Sequence, residues 1–382
     1  MEKIRVLSIF GTRPEAVKMA PVVKALEGTS SVKSMVCVTA QHRQMLDQVL
    51  DLFNIQPDVD LNLMTHNQSL SGLSAAIFSQ LDPVLQDLRP QWVMVQGDTT
   101  TVMCAALVAF YHRIRVGHVE AGLRTGDKWQ PFPEEINRRV ASVAADLHFA
   151  PTEWSRNNLL RENIPAERVI ITGNPVIDAL HWVASQPPTG EVKNLFQRIG
   201  LPADSQLTKP RMVLVTAHRR ENFGESIEKI CSALVELANI YGDELRIVYP
   251  VHLNPNVQKP VHRLLGNIRN IHLLPPLDYL PMVNMMKRAT LVLTDSGGLQ
   301  EEAPGLGKPV LVMREVTERP EGIQAGTVRL VGTDPKRIVL ETRRLLDDPA
   351  AYDQMAKAVN PYGDGKASNR IVQALMAAHT KF

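Results

Sequence analysis

The sequence predicts an α/β protein built on two Rossmann-like, doubly wound parallel sheets. Three observations predict it. Short runs rich in Val, Ile and Leu recur along the whole chain without in–out alternation, which is how strands buried on both faces read. Helix-like segments separate most of these runs, and alternating β and α implies a parallel sheet with helices on its faces. The pattern occurs twice, on either side of a proline-bearing stretch at 185–209. At roughly 100–200 residues per domain, 382 residues accommodate two such units.

In chain order, the first half offers strands at 5–10 (RVLSIF), 34–40 (SMVCVTA), 92–97 (WVMVQG), 115–120 (RVGHVE), 147–150 (LHFA) and 169–173 (VIITG). Helical segments include 14–26 and 100–111. The second half offers strands at 212–218, 246–251, 271–275, 291–296, 310–314 and 328–332. The seam contains Pro187, Pro188, Gly190 and Pro202 and no strong strand. The expected domains are therefore 1–184 and 185–365. An irregular NPYGDG stretch at 360–365 precedes a last helix, and the segment 366–382 is expected to pack back on the first domain. Two such halves facing one another would place a cleft between the carboxyl ends of both sheets, where open α/β folds bind ligands.

Composition narrows the function. Lys and Arg total 42 against 40 Asp and Glu. A net charge of +2 argues against a dedicated nucleic-acid or membrane-surface binder. The longest apolar run, 102–111, is about half of the ~20 residues a bilayer requires. The first residues lack the apolar core of a signal peptide. Cys37, Cys104 and Cys231 sit in apolar segments outside any CxxC pair. That pattern suits buried thiols and a cytoplasmic location.

Candidate chemistry gathers at predicted strand ends. The first strand runs into Gly11-Thr12-Arg13-Pro14-Glu15. Glycine permits the turn, proline suits the first helical turn, and the helix start favours an anion. Arg13 and Lys18 make this a candidate phosphate reader; the alternative is a turn with solvated charges. A second turn, Asp295-Ser296-Gly297-Gly298, opens a helix carrying Glu302. Its glycines would let the backbone approach a diphosphate, Ser296 would add a donor, and Glu302 could accept from a ribose diol. Arg319 could add a cation, with a surface-loop arginine as the alternative.

Asp98 and Glu120 close predicted strands, and Glu134 opens a helix after Pro131-Phe132-Pro133. Such carboxylates suit proton transfer or stabilisation of positive charge on a sugar ring. Helix N-capping is the alternative for Asp98 and Glu134. His218 and His252 end strands, and His42 begins a helix in Gln41-His42-Arg43; imidazole there could donate to phosphate or carry a proton. The other eight of the 11 histidines read as structural. GxGxxG after the first strand, GxxxxGK[ST], HExxH and CxxC are all missing. That disfavours dinucleotide, P-loop and zinc sites. Asp58-Val59-Asp60 is a lone DxD in an expected loop without further ligands, so no metal site is read there.

FGTRPEAVKMAPV, TAQHRQMLDQVL, QGDTTT, GHVEAGLRTGD, PFPEEINRR, ITGNPVIDAL, TAHRRENFG, VYPVHLNPNV, TDSGGLQEEAP, GKPVLVMREVTERPEG and NPYGDGKAS stand in this order from about Arg5 to Arg370. Together they resemble the non-hydrolysing UDP-N-acetylglucosamine 2-epimerases of bacteria. The resemblance implies a glycosyltransferase-B-type fold and a cytoplasmic homodimer without redox cofactor or required metal. It implies interconversion of UDP-GlcNAc and UDP-ManNAc for surface polysaccharide. UDP would be eliminated across C1–C2 to give 2-acetamidoglucal, then added back with the proton on the other face. Carried over by motif, Asp98, Glu120 and Glu134 would be the catalytic carboxylates. Arg13, Lys18, His218, Ser296, Gly297, Gly298, Glu302 and Arg319 would hold UDP, and His218 would assist the departing phosphate. Gln41 and His42 match a second, activating UDP-GlcNAc site of some relatives. The arginine that completes that site is missing from Thr65-His66-Asn67-Gln68. A hydrolysing epimerase, a glycosyltransferase of the same fold and a non-catalytic UDP-sugar sensor are the competing readings.

Overall fold

The computed structural model describes residues 3–40, 43–63, 68–202 and 210–380. Two compact units make up the chain: Met1–Ala179 with Tyr362–Phe382, and Leu180–Pro361. Among the described residues the first unit holds strands β1 (Ile4–Phe10), β2 (Val32–Val38), β3 (Val59–Asp60), β4 (Trp92–Gln96), β5 (Arg115–Val119), β6 (Leu147–Ala150) and β7 (Val169–Ile171). They form one sheet in the order β3-β2-β1-β4-β5-β6-β7. The second unit holds β8 (Arg211–Thr216), β9 (Leu245–Pro250), β10 (Ile271–Leu274), β11 (Leu291–Thr294), β12 (Val310–Val312) and β13 (Val328–Leu330). Their order is β10-β9-β8-β11-β12-β13. Every pairing in both sheets is parallel. The predicted α/β class with two doubly wound parallel sheets is the observed one.

The reason lies in the strand composition. β4 (WVMVQ) and β11 (LVLT) are buried at every position, so both faces must be covered by helices. Leu7, Ile9, Val93 and Val95 pack with Val102, Ala105 and Ala109 of the helix Thr100–Tyr111 in the first core. Val213, Val215, Leu291 and Leu293 pack with Ile230 and Leu234 of the helix Glu225–Tyr241 in the second. Each fully buried aliphatic side chain contributes about 1.5–3 kcal/mol. Strand order reverses between β1 and β4 and again between β8 and β11. These are the switch points where open α/β sheets collect ligands at the strands' carboxyl ends.

The last helix, Ala367–His379, packs against the helix Arg13–Glu27. Asp178 anchors it by accepting from Ala367 N at 3.1 Å and Ser368 N at 2.8 Å. The division between the units falls inside the helix Pro175–Ser185. Asp178 ties its first turns to the first unit, while His181 Nε2 lies 3.0 Å from Gly305 O of the second. The stretch expected to be an irregular seam contains a helix, Gly190–Arg198. Thr189 caps it, and Val192 and Phe196 are buried.

The DxD segment is another difference. Val59–Asp60 is not loop but a short edge strand on β2. Asp58 accepts from Val36 N at 2.8 Å, and Asp60 pairs with Arg43, so both carboxylates serve the sheet edge. Among the described residues, no cluster of His, Cys, Asp and Glu could hold a metal ion, and no helix is long and apolar enough to cross a membrane. The three cysteines are buried free thiols.

Candidate active site

The first cluster surrounds the switch point of the first sheet. At the end of β1, a side chain on Gly11 would put its Cβ 2.0 Å from Thr39 Oγ1, so only glycine fits the turn. The helix Arg13–Glu27 starts there with Pro14 in its first turn. The two amides just ahead of it are bonded within the chain. Buried Glu15 folds back and accepts from Gly11 N at 3.1 Å and Thr12 N at 2.8 Å. Thr99 Oγ1 donates to its other oxygen at 2.7 Å. Glu15 thus closes the turn ahead of the helix as the acid of a capping box. Arg13, half-buried, makes no ion pair among the described residues.

Lys18 points one helical turn further along, and its Nζ is 2.5 Å from Glu120 Oε1. Glu120 stands just past β5 with φ of +60°. A left-handed backbone at a non-glycine residue costs about 1–3 kcal/mol and persists only where its surroundings hold it. Gln96 Nε2 donates to one oxygen of Glu120, and Asn174 Nδ2 donates to the other at 2.8 Å. A buried carboxylate needs such partners, since an unpaired one is costly to desolvate.

Asp98, after β4, does not cap the following helix; Thr99 does, accepting from Val102 N. The Asp98 carboxylate instead pairs with Arg138. Asn137 Nδ2 donates to its backbone carbonyl at 3.0 Å. Arg138 is held in turn by Glu135, a fully buried acid that also accepts from Thr125 N and Gly126 N. Glu134 opens the helix Glu134–Ala144 without a capping bond, because Pro133 occupies the cap position. Its Oε2 is buried and has no hydrogen-bond partner among the described residues. Of the three candidate carboxylates, two are fixed by cations and one keeps an oxygen open.

Behind them lies His118 of β5, whose Nε2 is 2.7 Å from Gly97 O. A carbonyl only accepts, so Nε2 carries the proton. Burial pushes this imidazole down to about 4. Its cross-strand neighbour His148 is pushed down to about 3 by burial and by nearby positive charge.

The second cluster surrounds the switch point of the second sheet. Asp295, after β11, is fully buried. Its Oδ2 accepts from His218 N and Arg219 N at 2.8 Å each and from Asn222 Nδ2 at 2.9 Å. These bonds shape the loop after β8. The His218 ring stacks on His252, which follows β9, at 5.5 Å and 17°. Burial holds His218 below the ordinary histidine range, against the opposing pull of Asp295.

Ser296 is the N-cap of the helix Gly297–Gly305, and its side chain makes no capping bond. The Arg319 guanidinium lies over Gly297, so near that a Cβ there would be 2.6 Å from Nη1. Glu301 fixes Arg319 through Nε at 2.5 Å. Arg319 is thus mostly buried and oriented, not a loose surface residue. A Cβ on Gly298 would lie 3.3 Å from Glu302 Oε1. Glu302 neighbours the Tyr279 hydroxyl, which burial and that negative charge push well above the usual tyrosine value.

Gln41 and His42 lie outside the described residues, as do Thr65, His66 and Asn67. Sequence reasoning did not single out Glu15, Gln96, Glu135, Arg138, Asn174 or Asp295. Several stand inside the motif segments quoted above, but nothing in a linear pattern shows which carboxylate each would meet.

A family model for UDP-N-acetylglucosamine 2-epimerase matches residues 24–376. The chain belongs to the UDP-N-acetylglucosamine 2-epimerase family. The UDP-N-acetylglucosamine 2-epimerase of Salmonella typhimurium is 57% identical to it over 372 residues, covering 97% of this chain and 98% of that protein. The Escherichia coli K12 enzyme is 56% identical over 374 residues, covering 97% and 98%. The crystal structure of the UDP-GlcNAc 2-epimerase of Neisseria meningitidis, bound to UDP-GlcNAc, matches with a TM-score of 0.87 at 50% identity. That match covers 98% of this chain and 100% of the other.

Proposed function

We propose that this protein epimerises UDP-GlcNAc and UDP-ManNAc at C2 by elimination and re-addition of UDP, without net hydrolysis. The observation that carries the reading is the division of labour among three carboxylates. Asp98 and Glu120 are held by Arg138 and Lys18, whereas Glu134 keeps a buried oxygen without a partner among the described residues. Relatives over nearly the full chain are UDP-N-acetylglucosamine 2-epimerases, and one was crystallised with UDP-GlcNAc.

The chemistry explains why such a set is useful. The C2 hydrogen has no adjacent carbonyl, so enolisation is closed to it. Breaking the C1–O bond to UDP builds positive charge on the ring, which fixed carboxylates stabilise electrostatically. Loss of the C2 proton to a carboxylate completes the C1–C2 double bond of 2-acetamidoglucal. The return reaction adds UDP to C1 and a proton to the opposite face of C2. We assign proton transfer on one face of C2 to Glu134 and on the opposite face to Asp98 or Glu120, with the remaining carboxylate stabilising the ring charge. His218, Ser296, Gly297, Gly298, Glu302 and Arg319 would retain UDP, with Arg13 as a further cation. The first unit would then carry the proton chemistry and the second the nucleotide, supplying a ManNAc-type sugar for surface polysaccharide.

Incubation of purified protein with UDP-GlcNAc, followed by anion-exchange chromatography, tests this reading. It should give a stable mixture of UDP-GlcNAc and UDP-ManNAc. Steady release of free ManNAc and UDP would replace it with the hydrolysing reaction.

A further inference from the structure

Asp295 holds an acceptor that the loop geometry alone does not use. Its Oδ2 takes all three N–H bonds from the loop after β8. Its Oδ1 accepts no hydrogen bond among the described residues and lies 3.4 Å from Nδ1 of His218. The contact is not a hydrogen bond, but the carboxylate charge lies beside Nδ1 and favours the proton on that nitrogen. The His252 ring lies flat against that of His218 and restricts its rotation. A neutral His218 then presents Nε2 as a lone pair. A phosphate oxygen also offers only lone pairs, so Nε2 must gain a proton before it can bond one.

We propose that Asp295 is a positioning residue that fixes His218 in its Nδ1–H form, so that His218 engages the diphosphate as a cation and UDP binding takes up a proton. The inference rests on the reading of His218 as a UDP contact. The charged and titratable groups facing His218 are Asp295 at the end of β11, Arg219 beside it and His252 after β9. In the free protein, burial, Arg219 and His252 keep the ring neutral near pH 7.5, and Asp295 opposes them. An arriving diphosphate adds negative charge and tips the ring to the cation.

Calorimetric titration of UDP into the intact protein at pH 7.5, in buffers of different ionisation enthalpy, tests this directly. The wild type should take up about one proton per UDP, because the ring is neutral before binding and charged after. His218→Asn should abolish the uptake, and Asp295→Asn should reduce it clearly. Any proton linkage of UDP itself persists in His218→Asn, so the difference between the two proteins reports the share of His218. Normal UDP affinity without proton uptake overturns the inference and leaves the functional reading standing. Failure of UDP to bind overturns both. Should Asp295→Asn not fold, the ¹⁵N shifts of histidine in the free wild type decide. An Nδ1–H tautomer at His218 is required, and an Nε2–H tautomer contradicts the proposal.

Discussion

The Lys18 ammonium stands 2.5 Å from Oε1 of Glu120, a residue whose backbone is left-handed at φ +60°. The pair joins the first helix to the end of β5. Lys18 side-chain exposure is 18% and that of Glu120 is 5%, so the contact is poorly screened. In this arrangement Lys18 neutralises a strained, desolvated carboxylate.

Lys18→Met tests which role dominates. Breaking a buried pair costs about 3–5 kcal/mol, and the partial exposure of Lys18 reduces the expected loss to about 2 kcal/mol. Urea unfolding should show that loss, turnover should fall sharply, and UDP affinity by calorimetry should hold. A drop in UDP affinity at unchanged stability would make Lys18 a phosphate ligand instead.

Glu134→Gln removes a proton acceptor that makes no hydrogen bond through Oε2 among the described residues. Turnover should fall by about 10²–10⁴-fold. Stability should move by no more than about 0.5 kcal/mol, because no packing or pairing is lost. A large loss of thermal stability would mark Glu134 as structural.

Gly297→Ala drives a methyl into the Arg319 guanidinium, 2.6 Å from Nη1. Arg319 must leave its bond to Glu301, and UDP should bind about tenfold more weakly for the loss of one charge-assisted hydrogen bond. Unaltered UDP affinity would place the nucleotide elsewhere.

Much of this was legible in the sequence, for a definite reason. Strands such as WVMVQ and LVLT are apolar at nearly every position, and that composition forces a parallel, helix-covered sheet. The strand ends were legible too, since Gly11, Asp98, Glu120 and His218 close or directly follow such runs. What stayed hidden depends on the order of strands in space. Val59–Asp60 is too short and too polar to announce itself, and pairing with β2 alone makes it a strand. Glu15 reads as an ordinary first-turn acid, yet its carboxylate fills the turn that its own helix opens. Gln96, Arg138 and Asn174 acquire roles only when β4, the helix Glu134–Ala144 and the turn after β7 converge on Glu120 and Asp98. The positive φ of Glu120 has no signature at a non-glycine residue.

The buried histidines predict a pH dependence of stability. His118 and His148 are lowered from 6.5 to about 4 and about 3. Their folded values lie below the unfolded one, so the unfolded chain binds more protons as pH falls. The stability they contribute is complete above about 6.5 and is lost as pH drops through about 4 to 3. Near pH 5 the two together should give a slope of about 2–3 kcal/mol per pH unit. Urea titrations between pH 7 and 5 measure it, and His148→Gln should remove about half of the slope. An unchanged slope in that variant would assign the acid sensitivity to other groups.

The most direct measurement is proton NMR of UDP-GlcNAc incubated with the protein in D2O. Elimination and re-addition predicts loss of the C2 proton signal from both UDP-GlcNAc and UDP-ManNAc as they interconvert, with the glycosidic bond to UDP intact at equilibrium. UDP-ManNAc that forms with its C2 proton retained would contradict the mechanism.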